Sequence, residues 1–121
     1  MADEITVVAE LSLENGNIEH DFRPDAVLVD QAAGKFIDEI LDIGTSEETI
    51  SFGDIATKGY CVIQNLDSTN YVTYGPDSTG MVTFGRLNAG DIALFRIDNS
   101  VTLKAQANTA SCKVRFIAYE N

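Results

Sequence analysis

Tryptophan is absent from this 121-residue sequence, and proline, cysteine and histidine are rare. The single histidine is His20, and the two cysteines are Cys61 and Cys112. So few imidazole and thiolate groups make a zinc centre improbable. A Ser-His-Asp triad would have to use His20, and the Gly-x-Ser-x-Gly motif that exposes a serine nucleophile does not occur. The sequence therefore predicts a protein that is not an enzyme and has no catalytic residues.

Long apolar runs are also missing. No stretch reaches the length of a membrane span, and the first residues lack the pattern of a signal peptide. We therefore expect a protein that is made in the cytoplasm and has no membrane partner. Cys61 and Cys112 are too few for a disulfide framework, and each lies in an apolar alternating segment. Buried free thiols are expected at both positions, with a disulfide as the alternative.

Basic residues are scarce, because eight of them face nineteen acidic residues, for a net charge of −11. The imbalance is confined to residues 1–60, which hold fourteen acidic and three basic residues, whereas residues 61–121 hold five of each. No basic patch is available for phosphate contacts, so nucleic-acid binding is not expected. The acidic half is either a solvated, solubilising surface or a surface that meets a basic partner.

The acidic residues do not have the spacing of a catalytic or metal site. Asp38 and Glu39 are adjacent, as are residues 47 and 48, and adjacent residues of a strand point to opposite faces. Residues 67–70 together with Asp77 offer the best place for a calcium ion, but they lack the Asp-x-Asp-x-Asp-Gly spacing of a calcium loop. We expect no metal and no cofactor, with calcium in an acidic loop as the alternative.

Apolar and polar residues alternate with a period of two along most of the chain, which indicates β-strands. The first run is Ile5–Leu13, after which Asn15-Gly16-Asn17 predicts a hairpin turn and Ile18–Phe22 the returning strand. Lys35–Ile43 fits either a helix or a strand, and strand is favoured because Gly34 and Gly44 bracket only a short segment. Further strands are predicted at Ala26–Val29, Ile50–Phe52, Tyr60–Leu66, Tyr71–Tyr74, Met81–Leu87, Ile92–Ile97, Val101–Ala105 and Cys112–Tyr119.

About ten short strands with frequent turns predict one all-β domain over residues 1–121. The expected architecture is an antiparallel β-sandwich or a jelly-roll-like barrel. Asn65-Leu66-Asp67 should close a turn through side-chain hydrogen bonds to the backbone. Tyr71–Tyr74 should then continue the sheet, with Gly75-Pro76 ending the strand.

Two strands are apolar on both faces. In Ile92–Ile97, Ile92 and Leu94 share one side while Phe95 lies on the other, and Cys112–Tyr119 shows a similar pattern. A sheet with one wet face should carry polar residues there. We therefore expect that the second apolar face is also covered, either by a crossing segment of the chain or by another subunit.

The second half of the chain resembles small proteins encoded by tailed bacteriophages and prophages. The residues that carry the resemblance are IGTSEETISFGDIATKGYCVIQNLDSTNYVTYG (43–75), RLNAGDIALFRI (86–97) and LKAQANTASCKVRFIAYE (103–120). These are motifs of a fold and not of an active site. The resemblance implies a virion component on the outside of the particle.

Within that class a capsid cement or decoration protein on the capsid surface is preferred, and a tail or head-fibre accessory or carbohydrate-binding module is the alternative. Its partners would be the major capsid protein and further copies of itself, most simply in a homotrimer. Tyrosine is favoured at interfaces because it combines a large apolar area with a polar tip. The residues expected at the interfaces are Tyr71, Tyr74, Arg86, Phe95, Arg96, Ile117 and Tyr119.

Overall fold

The computed structural model describes residues 3–121, and this range forms twelve β-strands and no helix. All strand pairs are antiparallel, which confirms the all-β prediction. Packing divides the chain into two compact units, of which the first ends at Ala33 and the second is Gly34–Asn121. We call them the arm unit and the sandwich unit. A single domain over the whole length stays a prediction.

The arm unit consists of two separate strand pairs. Its strands are β1 (Ile5–Val7), β2 (Leu11–Asn15), β3 (Ile18–Phe22) and β4 (Val27–Val29). Strand β1 pairs with β4, whereas β2 and β3 form a hairpin. The predicted single strand Ile5–Leu13 is therefore wrong, because its two ends pair with different partners and residues 8–10 connect them.

The hairpin turn lies where the sequence predicts it. Asn15 pairs with Ile18, so Gly16 and Asn17 form a two-residue loop. Gly16 has a φ of +60°, which is the conformation that the first central residue of a type II′ turn requires. A glycine adopts this conformation without steric cost.

The sandwich unit contains two four-stranded sheets. Sheet I has the order β10–β7–β12–β5, and sheet II has the order β6–β11–β8–β9. The strands are β5 (Phe36–Ile43), β6 (Glu48–Thr49), β7 (Lys58–Asn65), β8 (Val72–Pro76), β9 (Gly85–Leu87), β10 (Ile92–Arg96), β11 (Leu103–Ala107) and β12 (Cys112–Glu120). The segment Lys35–Ile43 is thus a strand, as predicted, and it pairs with β12 along its whole length.

The core lies between the inner faces of the two sheets. Every second residue of β12 is buried, and the same alternation runs through β7 and β11. Phe116 is fully buried and meets Phe52 edge to face, with ring centroids 5.2 Å apart. Val72 and Leu103 close the core from sheet II. The period-two pattern of the sequence therefore describes which side chains fill this sandwich.

Three predicted strand boundaries need correction. Strand β6 is Glu48–Thr49, and the predicted Ile50–Phe52 strand is a buried segment beyond it whose apolar side chains enter the core. The predicted strand Met81–Leu87 shortens to Gly85–Leu87. Strand β8 continues through Gly75 and Pro76, because the Pro76 carbonyl still accepts a hydrogen bond from Val82 N–H at 2.8 Å. Proline lacks a donor but keeps its acceptor, so it does not end this strand.

The predicted turn after β7 is confirmed and is built around a buried amide. Asn65 is fully buried, and its Nδ2 donates to the carbonyls of Asn70, Leu87 and Asn88 at 2.9–3.3 Å. Its Oδ1 accepts the backbone N–H of Asp67 at 3.0 Å. The side chain thereby satisfies its own hydrogen-bonding groups and joins the loop after β7 to the loop after β9.

The carboxylate of Asp67 adds further hydrogen bonds to the same turn. It accepts the backbone N–H groups of Thr69 and Asn70 at 3.0 and 2.6 Å. These hydrogen bonds favour the charged form and lower the pKa of Asp67.

Both cysteines are free and buried, as predicted. Burial raises the pKa of Cys61 to about 12, against a smaller opposing effect of the Lys58 charge. Burial also raises the pKa of Cys112, and the charge of Asp67 adds to the shift. Thiols in this state are poor nucleophiles, because the reactive species is the thiolate.

Candidate interaction surfaces

The outer face of sheet I carries apolar side chains where a solvated sheet would carry polar ones. Strand β12 turns Ile117 and Tyr119 outward, and the edge strand β10, on the far side of β7, turns Ile92 and Leu94 outward. We define this surface, the outer sheet face, by the apolar side chains that point away from the core: Phe36, Ile40, Tyr60, Val62, Ile92, Leu94, Ile117 and Tyr119.

A continuous apolar row crosses the centre of the outer sheet face. Leu94 pairs with Val62, and Val62 pairs with Ile117 on its other side. Leu94 is 43% exposed, while Val62 and Ile117 are half-buried by their neighbours. Directly opposite side chains on neighbouring strands lie about 5 Å apart, so these three form one contiguous patch. The row ends at Asp38 on β5.

Aromatic side chains extend this row toward one end of the sheet. Phe36 and Tyr119 are cross-strand partners, and their rings meet edge to face with centroids 6.3 Å apart. On the opposite edge the Arg96 guanidinium lies over the Tyr60 ring, 5.6 Å from its centroid. Arg96 also donates to the Asn121 side chain at 2.9 Å. Aromatic and arginine side chains are the residue types that dominate protein interfaces.

The two carboxylates on the outer sheet face are already paired with basic side chains of the same face. Arg115 donates two hydrogen bonds to Asp38, at 2.9 and 2.6 Å, and Lys113 lies 3.0 Å from Asp42. The Arg115 hydrogen bond lowers the pKa of Asp38, and the same contact raises the pKa of Arg115. Both pairs join β12 to the edge strand β5. The face therefore holds no carboxylate without a basic partner, and Arg96 adds one positive charge to it, although the chain as a whole is strongly acidic.

A groove opens on the side of the sandwich where β10 forms the edge of sheet I. Its volume is about 650 Å³, and apolar residues of both sheets supply most of its lining. Tyr74 stands at its centre, stacked on Phe95 with centroids 6.1 Å apart and meeting Phe84 edge to face at 6.3 Å. Phe84 is 80% exposed, so this aromatic cluster is only partly covered.

The outer face of sheet II differs from that of sheet I in being polar. Lys104 lies 3.6 Å from both Glu47 and Asp77, and Gln106 donates to the carbonyl of Thr45 at 2.8 Å. These contacts fix polar side chains across the sheet. The two faces of the sandwich unit are therefore chemically distinct, and only the outer sheet face has the composition of an interface core.

The seven residues predicted at interfaces fall into three places. Arg96, Ile117 and Tyr119 lie together on the outer sheet face. Tyr74 and Phe95 lie in the groove, half-buried against the core. The third pair, Tyr71 and Arg86, lies in neither place and is described next.

Tyr71 and Arg86 pair with each other beside sheet II. The Arg86 guanidinium lies 3.6 Å from the centroid of the Tyr71 ring, a close cation–π contact. Arg86 also donates from Nε to the Asn88 side chain at 2.9 Å. Both side chains therefore already have contact partners within the same chain.

Sequence reasoning missed several exposed apolar residues. Phe36 and Ile40 are 66% and 62% exposed, and they alternate with Asp38 and Asp42 along β5. That strict alternation was the available signal, but Arg115 and Lys113 become the partners of these aspartates only in the folded sheet. No pattern in the sequence indicates the groove, because β8 and β10 meet only in the folded sandwich.

No group of three or more His, Cys, Asp or Glu side chains that could hold a metal ion occurs within residues 3–121. In the same range no helix is long and apolar enough to cross a membrane.

No family model and no curated protein sequence matches the chain. A crystal structure of Fe(II)-HppE with the alternative substrate (S)-1-HPP is similar at a TM-score of 0.49 and 16% identity, over 98% of this chain and 58% of that one. A structure of Bacillus endospore appendages, described as disulfide-linked pili, is similar at a TM-score of 0.46 and 11% identity, over 73% and 87%. The chain thus spans 58% of the first protein's length. At these values neither similarity supports an inference about activity, substrate or partners.

Proposed function

We propose that this chain is a non-enzymatic virion structural protein of a tailed bacteriophage, a cement or decoration protein on the capsid surface. It docks on the major capsid protein and associates with further copies of itself, most simply as a trimer. The observation that carries the proposal is the outer sheet face, which is apolar, contiguous and free of unpaired carboxylates. The virion assignment itself rests on the resemblance of residues 43–75, 86–97 and 103–120 to small phage proteins.

The state of the charged groups favours docking through the outer sheet face. Burying an unpaired carboxylate is costly, and such groups are abundant in the first sixty residues. On the outer sheet face Asp38 and Asp42 already have basic partners, so covering them leaves no lone charge behind. A partner surface needs only apolar area and a polar rim there. The acidic residues elsewhere can then remain in water.

The magnitude of this burial explains why copies should act together. Five outward side chains expose between 39% and 66% of their surface, and covering one such side chain contributes about 1 kcal/mol. The sum is of the order of 5 kcal/mol, while association alone costs roughly 4–15 kcal/mol. The five are Phe36, Ile40, Ile92, Leu94 and Tyr119. One copy would therefore bind weakly, and copies that also contact one another would bind cooperatively.

Stabilisation of the particle follows from mass action. A protein that binds only the assembled capsid lowers the free energy of that state relative to separated subunits. Copies that span subunit boundaries raise the work needed to separate them under the pressure of the packaged DNA. The proposed mechanism needs no catalytic residue, metal or cofactor.

The groove favours a second candidate, a carbohydrate-binding module on a tail or head fibre. Exposed aromatic rings with nearby polar groups suit sugar recognition, and Phe84 is exposed beside Asp98 and Arg96 in the groove lining. This candidate predicts that the protein resides on fibres or tails and that Phe84→Ala abolishes glycan binding while leaving particle assembly intact.

The experiment separates heads from tails of the phage that encodes the chain. Particles assembled without this protein are split into head and tail fractions, and purified protein is added to each in a cosedimentation assay. Saturable binding to heads at one copy per capsid protein, or a simple fraction of it, supports the cement function. Binding confined to tails or fibres supports the second candidate. Binding to neither fraction contradicts both.

A further inference from the structure

The β2–β3 hairpin of the arm unit has two faces of opposite chemistry. Leu11 pairs with Phe22 and Leu13 pairs with His20, so these four side chains lie on one face. Asn15 and Ile18 complete it at the turn. We call this the hairpin face. The opposite face consists of Ser12, Glu14, Glu19 and Asp21.

The hairpin face is uncovered along its whole length. Every residue of β2 and β3 is exposed, and Leu11, Leu13, Ile18 and Phe22 expose between 51% and 71% of their surface. A lone two-stranded hairpin is only marginally stable in water and requires packing of an apolar face for support. Isolated exposed apolar residues are common, but four that share one face of a hairpin indicate an interaction surface.

The charge of the arm unit restricts what can cover this face. Residues 3–33 contain eight acidic residues and a single basic one, Arg23, which lies 3.1 Å from Glu10. Nucleic acids and anionic membranes bind through basic side chains, and the hairpin face has no lysine or arginine. A basic protein would be drawn to the acidic opposite face and not to the hairpin face. The surface that covers the hairpin face must therefore be apolar and uncharged, and it must leave the acidic face in water.

We propose that the hairpin face of one copy of this chain packs against the hairpin face of a neighbouring copy. The inference deepens the proposed function, because it rests on the self-association part of that function and assigns it to the arm unit. Two such faces are self-complementary under the symmetry of a homo-oligomer. They can pack at the usual spacing of about 10 Å between sheets, with every carboxylate of the opposite faces outside the contact.

The small size of the hairpin face also favours another copy over an unrelated partner. A half-exposed side chain has roughly 50 Å² left to bury, so four offer about 200 Å². A stable complex buries about 800 Å² on each partner. A contact this small is useful only where the local concentration is very high. Copies docked side by side on one particle meet that condition, because tethered neighbours reach effective concentrations of about 1 mM.

The test compares neighbouring positions of β2 that point to opposite faces. In the full chain, Leu13→Lys places a charge on the hairpin face, and Ser12→Lys places the same charge on the acidic face. Sedimentation equilibrium at concentrations up to about 1 mM should show weak self-association of the unmodified chain. Leu13→Lys should weaken it by about tenfold or more, and Ser12→Lys should change it by less than about threefold.

A cross-linking pair keeps the proposal falsifiable if Leu13→Lys fails to fold. Leu13→Cys should form a disulfide-linked species between copies when oxidised glutathione is added, whereas Ser12→Cys should not. The native thiols do not interfere, because Cys61 and Cys112 are buried. Equal cross-linking of both variants, or none with Leu13→Cys at about 1 mM chain, would overturn the assignment.

Two further results separate this inference from the proposed function. If Leu94→Lys disrupts self-association and Leu13→Lys does not, then the sandwich unit holds the copies together and the hairpin assignment is wrong. If the chain fails to bind heads but Leu13 still controls self-association, then the proposed function is wrong and the hairpin assignment stands.

Discussion

Tyr74 and Phe95 stack across the open side of the sandwich, with ring centroids 6.1 Å apart and ring planes 13° apart. Tyr74 belongs to sheet II and Phe95 to sheet I, so this contact joins the two sheets where no strand connects them. Both rings are half-buried and pack on the core. The contact therefore belongs to the stability of the fold as well as to the surface of the groove.

This arrangement predicts a loss of stability when Phe95 is truncated. Phe95→Ala removes a ring that touches the core, and because the ring is only half-buried we expect about 2 kcal/mol of lost unfolding free energy. Ile92→Ala, on the outward side of the same strand, should cost less than about 1 kcal/mol. Urea denaturation measures both. Equal losses for the two variants would contradict the assignment of Phe95 to the inner side.

A second prediction concerns the close approach of the backbone at Gly75. A Cβ atom at this position would lie 1.9 Å from the carbonyl oxygen of Val82, which belongs to backbone and cannot rotate away. Gly75→Ala should therefore separate β8 from the following segment and destabilise the protein by about 2 kcal/mol or more.

The control for that prediction is Gly34→Ala, because a Cβ at Gly34 meets no atom within 4 Å. Its thermal midpoint should remain close to that of the unmodified chain. A Gly75→Ala variant as stable as Gly34→Ala would show that β8 does not run through Gly75 and Pro76 as described.

The turn after β7 predicts a dependence of stability on acid pH. The backbone hydrogen bonds to Asp67 hold its folded-state pKa below the ordinary value of 3.8. A lowered folded-state pKa stabilises the fold above the unfolded-state pKa, and this contribution is lost as the pH falls through the folded-state value. The unfolding free energy should therefore decrease below about pH 4.

Asp67→Asn should remove part of that dependence, because an amide oxygen accepts the same hydrogen bonds without titrating. Urea midpoints at about pH 7 and about pH 3 measure the effect. Glu10→Gln, in the arm unit, is the comparison. If Asp67→Asn leaves the acid dependence of stability unchanged, other carboxylates cause that dependence. The first of these to examine is Asp38, which is paired with Arg115.

The cysteines predict slow thiol chemistry in the native protein. Burial raises the pKa of both thiols, so little thiolate is present at neutral pH and reagents cannot reach the sulfur. A chromogenic disulfide should react slowly with the folded chain and rapidly with two thiols after unfolding. Rapid reaction of one thiol in the native state would show that its segment opens locally.

Much of the sandwich could be predicted from the sequence because its signals are local. The alternation in Cys112–Glu120 and Lys58–Asn65 follows directly from having one buried and one open face. Asn15-Gly16 specified the hairpin turn in the same way. Strand ends were less predictable, as at Glu48–Thr49, because Ile50 and Phe52 fill the core just beyond the end of the strand.

The candidate surfaces were less predictable because they depend on which strands become neighbours. Asp38 and Asp42 alternate with the apolar residues of β5, and only the pairing with β12 supplies their basic partners. Tyr71 was predicted at an interface from its residue type, yet its ring packs against the Arg86 guanidinium of the same chain. The alternation of apolar and polar residues in β2 and β3 can be seen in the sequence. That the apolar side chains of the hairpin face are exposed can be seen only in the folded chain.

The central claim is that the apolar outer sheet face docks on the capsid while the acidic residues stay in water. The most direct measurement is the rebinding of purified protein to heads that lack it, across a salt series. Leu94→Lys tests the outer sheet face, and Thr49→Lys, on the polar sheet, is a control with the same added charge. Apolar burial is little screened, whereas exposed charge contacts are screened beyond roughly 10 Å at 0.1 M salt.

The account predicts that binding holds or tightens as salt rises, because repulsion between acidic neighbours is relieved. Leu94→Lys should then weaken binding by about tenfold or more, while Thr49→Lys binds as the unmodified chain does. A steep loss of binding between low and moderate salt, with Leu94→Lys binding normally, would contradict the account and identify the acidic residues as the docking surface.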